Sequence, residues 1–293
     1  MKTTTRTLAA IGLATTLTIT TAACAAAPDG ATSLDLIPHV HDVAFDADGA
    51  LLVGAHTGAY RVDPTSEEVS LVGGVSFDAM GLTVQAGTLV ASGHPAPDNQ
   101  DDTFIAPNIG LVRHTDTGWE QVSLAGVTDF HMLAATPAAP DFLLGLPSDR
   151  PVLAASIDAG QTWTDIGSLT ARDISIDAMN PWVVTATTPD GLMVSRDAGL
   201  TFANVADSPS LLVIAADPTV EEGIIGVATD GTIWAGSTME GVVWNTVGKA
   251  IGEAAAISVS FDGAVAIADG GGVRVTTDAG NTWRTVIRTD DSR

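Results

Sequence analysis

Short apolar runs alternate with polar residues along most of this chain, and turn signals separate them. In PWVVTATTPDGLMVSRDAGLTFANV (Pro181–Val205) the order reads strand, Pro-Asp-Gly turn, strand, Asp-Ala-Gly turn, strand. Just upstream, ARDISIDA (Ala171–Ala178) alternates polar and apolar positions with the period of two that marks a half-buried strand. The unit predicted is a four-stranded antiparallel sheet, with strands A to D joined by short turns. The fold class predicted for the chain is all-β.

The unit repeats. SIDAGQTW (Ser156–Trp163), SRDAGLTF (Ser195–Phe202) and TTDAGNTW (Thr276–Trp283) align without gaps as S/T-x-D-x-G-x-T-W/F. STMEGVVW (Ser237–Trp244) is a weaker copy with Met239 in the Asp position, and HTDTGW (His114–Trp119) is a shortened one that keeps Asp116. The first residues are 114, 156, 195, 237 and 276, so the period is near 40. That period fits one four-stranded propeller blade per repeat. GAYRVDPTSEEVSLV (Gly58–Val72) parallels GLVRHTDTGWEQVSL (Gly110–Leu124) and supplies an earlier, sixth unit. Six blades then occupy 34–293 as a single β-propeller domain, with a seventh left open through a split or paired end.

These motifs resemble Asp-boxes, the BNR repeats of sialidases, sortilin-type propellers and bacterial secreted proteins. More narrowly, HVHDVAF, LLVGAHTGAYR, ASGHP and DFHML resemble a group of bacterial exported sialidase-like or glycosylhydrolase-like lipoproteins. The resemblance implies a structural role for Asp116, Asp158, Gly160, Trp163, Asp197, Gly199, Phe202, Asp278, Gly280 and Trp283. Each Asp would accept backbone N–H groups across its own turn, each Gly would take positive φ, and each aromatic would pack between blades.

In such a propeller strand A lines the central channel. The start of A, the end of B and the B–C loop share one rim, opposite the C–D hairpins. Five of the six histidines fall on that rim, in blades one to three. His39 and His41 open strand A of blade one and, being two apart, are expected to point the same way. His56 and His94 end the B strands of blades one and two, and His131 opens strand A of blade three. Strand alignment makes His41, Met80 and His131 equivalent. Neutral imidazole is the commonest transition-metal ligand. The pattern therefore predicts a single channel-mouth site in which His39, His41, His56, His94 and His131 hold copper or zinc. Met80 is a further soft donor, and Asp42 or Asp129 are carboxylate ligands or tautomer-fixing partners. Met132 alternates away into the core. Histidines that only hydrogen-bond channel water are the alternative. The Pro-rich acidic insertion His94–Asn108, with Asp98, Asp101 and Asp102, reads as a lid over that mouth or as a loose surface loop.

An enzyme reading has less to stand on. The sialidase resemblance implies an arginine cluster, a Tyr nucleophile and an acidic residue. The one tyrosine, Tyr60, falls in mid-strand C, and Arg61 and Arg113 sit at matched strand C positions. Arg172 is the one arginine expected at the channel. A glycoside hydrolase would have to use Asp42, Asp129 and Asp173 with Arg172. No G-x-S-x-G, H-E-x-x-H or phosphate-binding glycine loop occurs. The readings are a non-catalytic metal-binding protein, a sialidase-type hydrolase, and a scaffold for protein partners.

Composition removes other classes. Lys and Arg total 12 against 35 Asp and Glu, a formal charge of -23, so the basic footprint of a nucleic-acid binder is missing. At the N-terminus Lys2 and Arg6 precede the apolar LAAIGLATTLTI and then TAAC, which ends at Cys24, the one cysteine. This reads as a signal peptide over 1–23 and resembles a lipobox, with Thr21 where Leu is usual. It predicts a lipidated Cys24 with a tether over 24–33, export to the outer face of the cell membrane, and membrane contact through lipid alone. An incidental Cys after an ordinary secretion signal is the alternative.

Overall fold

The computed structural model describes residues 37–63, 66, 68–96 and 103–288. The chain divides into two units, Met1–Ala31 and Thr32–Arg293. The signal peptide, Cys24 and the tether lie outside the described residues, as do Asp98, Asp101 and Asp102. No helix among the described residues is long and apolar enough to cross a membrane.

Thr32–Arg293 is a six-bladed β-propeller. Blade one holds β1 (Val40–Phe45), β2 (Leu51–Ala55), β3 (Gly58–Val62) and β4 (Val69–Leu71); blade two holds β5 (Phe77–Gln85), β6 (Thr88–Pro95), β7 (Gly110–Thr115) and β8 (Gly118–Ser123). Blade three holds β9 (Phe130–Ala135), β10 (Leu143–Pro147), β11 (Val152–Ser156) and β12 (Thr164–Ser168); blade four holds β13 (Asp173–Ile176), β14 (Val184–Thr188), β15 (Gly191–Ser195) and β16 (Ala203–Asn204). Blade five holds β17 (Leu211–Asp217), β18 (Gly223–Ala228), β19 (Thr232–Ser237) and β20 (Asn245–Lys249); blade six holds β21 (Ala256–Val259), β22 (Val265–Asp269), β23 (Gly272–Thr276) and β24 (Arg284–Ile287). Every sheet is antiparallel and built from consecutive strands. The first strands touch in the cycle β1, β5, β9, β13, β17, β21 and back to β1. Among the described residues the ring therefore closes by packing blade six on blade one, with no shared sheet and no seventh blade.

The core is six apolar clusters, one at each junction between blades. Val43, Val53 and Tyr60 meet Ala266, Val273 and Ile287 at the closing junction. Phe77 and Val112 meet Leu52 and Ala59 between blades one and two. Close approach selects small residues here. A methyl at Gly145 on β10 would collide with the ring of Phe130 on the same blade's β9.

Polar stitches reinforce the inner ring. Asp42 is buried and accepts N–H groups from Val43 and from Leu82 of the next blade, both at 2.8 Å. Asp173 repeats this with Ile174 and with Ile214 of blade five, both at 2.7 Å. Ser92 Oγ accepts from Phe130 N at 2.8 Å between blades two and three. Burial raises the Asp42 carboxyl well above its usual range, with the charge of Asp173 adding to it. Burial lifts Asp173 to about 7 against its two amide donors.

On the outer rim the three well-formed hairpins are nearly superposable in their hydrogen bonds. Asp158 accepts from Thr162 N at 2.9 Å, Thr162 Oγ1 at 2.6 Å and Ser156 Oγ at 2.8 Å. Asp197 and Asp278 do the same with Thr201 and Ser195, and with Thr282 and Thr276. The Thr162 hydroxyl and amide, with the Ser156 hydroxyl, draw Asp158 down to about 2. Gly160, Gly199 and Gly280 take φ of 84°, 92° and 85°. Trp163 stacks on Phe130 at 4.4 Å, Phe202 packs against the core between blades three and four, and the guanidinium of Arg274 lies over Trp283. Asp116 departs from this pattern. Its hairpin is two residues shorter, Asp116 is exposed, and the turn bonds run through Thr115, which accepts from Thr117 N and donates to Gly118 O.

Two outcomes test this account. Gly145→Ala should cost about 1–3 kcal/mol by overpacking against Phe130, read from denaturant unfolding. Asp173 has a folded pKa above its unfolded value, so its protonation favours the fold. That contribution is full below about pH 4 and is lost as pH rises through about 7, on the order of 4 kcal/mol. Asp173→Asn should flatten the pH dependence of stability across that window; an unchanged slope would show that Asp173 is ionised in the fold throughout.

Candidate metal centre

The candidate residues are aimed by irregularities in the first strands. In β1 the pairing with β2 steps from Val40–Ala55 to Asp42–Gly54, leaving His41 as an extra, bulged residue. The same step leaves Met80 out of the β5–β6 ladder, His131 out of β9–β10 and Leu212 out of β17–β18. Arg172 and Ala255 occupy the matching place before β13 and β21, each donating its N–H to the neighbouring strand at 2.9 Å. A bulge breaks the two-residue alternation and re-aims its side chain. The expected equivalence of His41, Met80 and His131 is therefore an equivalence of bulges. The expectation that alternation aligns His39 with His41 is corrected. His39 stands before the strand with φ of 49°, and His41 is the bulged residue, so alternation governs neither.

The five rim histidines do not meet at one point. Four of them separate into two pairs, each completed by an aspartate. In the first, His41 Nε2, His56 Nδ1 and Asp78 Oδ1 form a closed triangle with sides of 3.1, 2.8 and 3.2 Å. In the second, His131 Nε2 and His94 Nε2 lie 3.1 and 3.5 Å from Asp129 Oδ2. Each set offers three ligand atoms, all within 4.8 Å of one another. His39 belongs to neither set; its ring lies edge-on to His56 at 5.2 Å. His114 packs against Trp119 at 5.3 Å in the outer part of blade two.

Asp78 was not among the residues singled out from sequence. A signal for it exists. It precedes bulged Met80 by two residues, as Asp129 precedes His131 and His39 precedes His41. Strand register then places Asp78 opposite His94 on the β5–β6 ladder. Each group straddles a blade junction: His56 directly follows β2 and Asp78 lies at the start of β5, while His94 near the end of β6 and Asp129 just before β9 repeat this one blade on.

The chemistry of the first triangle is constrained. An imidazole nitrogen carries either one proton or one in-plane lone pair, and a carboxylate oxygen accepts only. If both rings donate to Asp78, their N–H groups oppose each other across the His41–His56 side. If one ring donates to the other, the acceptor turns a lone pair on the carboxylate. Hydrogen bonds cannot satisfy all three sides, whereas one cation satisfies all three atoms. Ligand atoms about 2.0–2.2 Å from one tetrahedral zinc ion lie roughly 3.3–3.6 Å apart, so the sides seen here would open by a few tenths of an ångström to take the ion.

The second group carries a different mark. Asp129 is fully buried, and its Oδ1 accepts a short hydrogen bond from Ser148 Oγ. Its Oδ2 is buried without a hydrogen bond of good geometry, although two imidazole nitrogens face it. Burial alone would raise Asp129; the contacts with His131 and Ser148, with the charge of His94, together hold it below the ordinary carboxylate value. Burial opposes ionisation of Asp78 too, and His41 and His56 outweigh it in the same way. Asp129 raises His131 against the effect of burial, and the charge of Asp78 also reaches that ring.

Other candidate residues fall elsewhere. Asp42 and Asp173 line a central cavity of about 390 Å³ with their oxygens committed to backbone amides. Arg172 reaches across the mouth to Glu253 and the Ala254 carbonyl, both at 3.4 Å. Met132 packs between blades three and four. Tyr60 is buried at the closing junction, its hydroxyl 2.8 Å from Thr57 Oγ1. Of the insertion after His94, Phe104 is buried edge-on against Phe77.

No protein-family model matches the chain, and no curated relative matches it by sequence. Solved structures do. The Niastella koreensis GH74 enzyme is similar with a TM-score of 0.58 at 19% identity, over 85% of this chain and 37% of its own. The GH74 xyloglucanase from Xanthomonas campestris is similar with a TM-score of 0.55 at 17% identity, over 85% and 45%. The WD40 propeller domain of Doa1 gives 0.56 at 12% identity, over 85% and 82%. At these identities the likeness is one of fold, and the chain spans less than half the length of either GH74 enzyme.

In metal-free protein, His131 should titrate above the ordinary imidazole value by NMR. Asp129→Asn should bring that pKa down, because the first cause of its elevation is removed. An unmoved value would place Asp129 out of contact with His131 in solution.

Proposed function

We propose that this chain is an exported, lipid-anchored propeller that binds divalent transition-metal ions through two His₂Asp sites, His41–His56–Asp78 and His94–Asp129–His131. The reading rests above all on the triangle of His41, His56 and Asp78, whose three sides hydrogen bonds cannot satisfy together. Buried Asp129 Oδ2 between two imidazoles supports the second site. Two nitrogens and one oxygen suit zinc or copper(II), and three ligands leave positions open for a further donor. By repeat position Met80 stands between the two sites, which keeps it as an added soft donor for copper. The acidic shell suits cation capture. Cys24 as lipid anchor and the hairpins as Asp-box repeats of a sialidase-like exported family belong to the same reading.

Protein made without a His-tag should carry two equivalents of zinc or copper by elemental analysis. His56→Ala and His131→Ala should each remove one, and the double variant both. Affinity should fall as pH drops below about 6, where imidazole takes up protons. Sub-stoichiometric metal that the substitutions leave unchanged would overturn the proposal. A second reading, a glycoside hydrolase, is favoured by the likeness to GH74 enzymes. Hydrolysis of xyloglucan or sialosides by the purified chain that survives chelation would establish it instead.

A further inference from the structure

The two sites share one wall. Asp78 of the first and His94 of the second face each other on the ladder between β5 and β6. Directly opposed residues on an antiparallel ladder are about 4.5–5.5 Å apart at Cα and project to the same side of the sheet. The first group reaches from that rung back to blade one, through His41 and His56. The second reaches forward to blade three, through Asp129 and His131. Three of the four histidines stay open to solvent: His56, His94 and His131 have side chains 45%, 38% and 47% exposed.

The charges of a filled pair are unequal. Two divalent cations bring four positive charges, and Asp78 and Asp129 return two, while neutral imidazoles return none. Two cation sites at neighbouring blade junctions repel unless something negative lies between them. Each ion also keeps coordination positions that three protein ligands leave unfilled. A single anion with two oxygens on one central atom answers both needs.

Resting on the metal-binding reading above, we propose that the two sites work as one two-ion centre whose ligand is a small oxyanion of the phosphate type, bridging the ions over the Asp78–His94 rung. The surrounding acidic surface does not prevent this, because screening confines surface charges to within about 8 Å at physiological ionic strength, whereas the bridge is made by direct coordination.

Inorganic phosphate is the probe, followed by calorimetry on metal-free protein, on protein loaded with two zinc equivalents, and on His56→Ala and His131→Ala loaded with one. The expected result is one phosphate per two zinc ions in the loaded wild type, with at least a tenfold loss of affinity in each single-site variant and none bound without metal. Phosphate should also tighten the second zinc. Phosphate binding that survives in either single-site variant would overturn the bridge, as would two zinc ions with no phosphate bound. Failure to bind any zinc would instead remove the metal reading itself, so the two failures are distinguishable.

Discussion

Six sheets can share one axis only if their first strands converge without colliding, and the extra residue at the mouth of those strands is what the rest of the molecule is arranged around. At His41, Met80, His131 and Leu212 the first strand holds one residue more than its partner can pair. The irregularity turns that side chain out of the ladder and lets the strand bend into the ring. Immediately after it, in blades one and four, Asp42 and Asp173 each hold the amide of their own strand and that of the next blade. The same few residues thus determine how blades meet and which side chains face the mouth.

The two faces of the ring divide the work. On one, hairpins such as Ser156–Trp163 are closed loops of local hydrogen bonds, with Asp158 drawn low by the two hydroxyls and the amide that donate to it. Their carboxylates are spent on their own turns. On the other, Asp78 and Asp129 accept from no turn of their own. They lie across blade junctions against imidazoles, and Asp129 Oδ2 keeps an unmatched acceptor. A carboxylate that satisfies its own loop is architecture; one set across a blade junction against two imidazoles is not explained by any turn. Asp42 and Asp173 sit between these cases: they line the cavity, yet all four oxygens are engaged by amides, which makes them stitches of the ring.

Much of the architecture was legible in the sequence, because the hairpin motif is local. Ser156, Asp158, Gly160 and Thr162 interact within seven residues, so their identities can be read without knowing the fold. Their spacing near 40 then counts the blades. The degenerate copy at Asp116 was less legible, since two missing residues move the turn bonds to Thr115. The site was legible in part. Register made His41, Met80 and His131 equivalent in successive blades, and strand ends placed His56 and His94 on the same rim. Asp78 was passed over because aspartates are common in this acidic chain, and only its offset from Met80 distinguishes it.

By itself, the sequence determined the repeat, the antiparallel blade, the face on which the histidines lie and the absence of a basic footprint, all of which follow from composition or from contacts between near neighbours. Tertiary structure alone decided that the ring closes at six without a shared sheet, because closure depends on how wedge-shaped clusters such as that of Val43, Tyr60 and Ile287 fill the last junction. It also decided that five histidines become two groups of two, with His39 set aside. That partition depends on bulges and junctions between blades, where residues such as His56 and Asp78, 22 positions apart, come within 2.8 Å. No local period encodes such a distance.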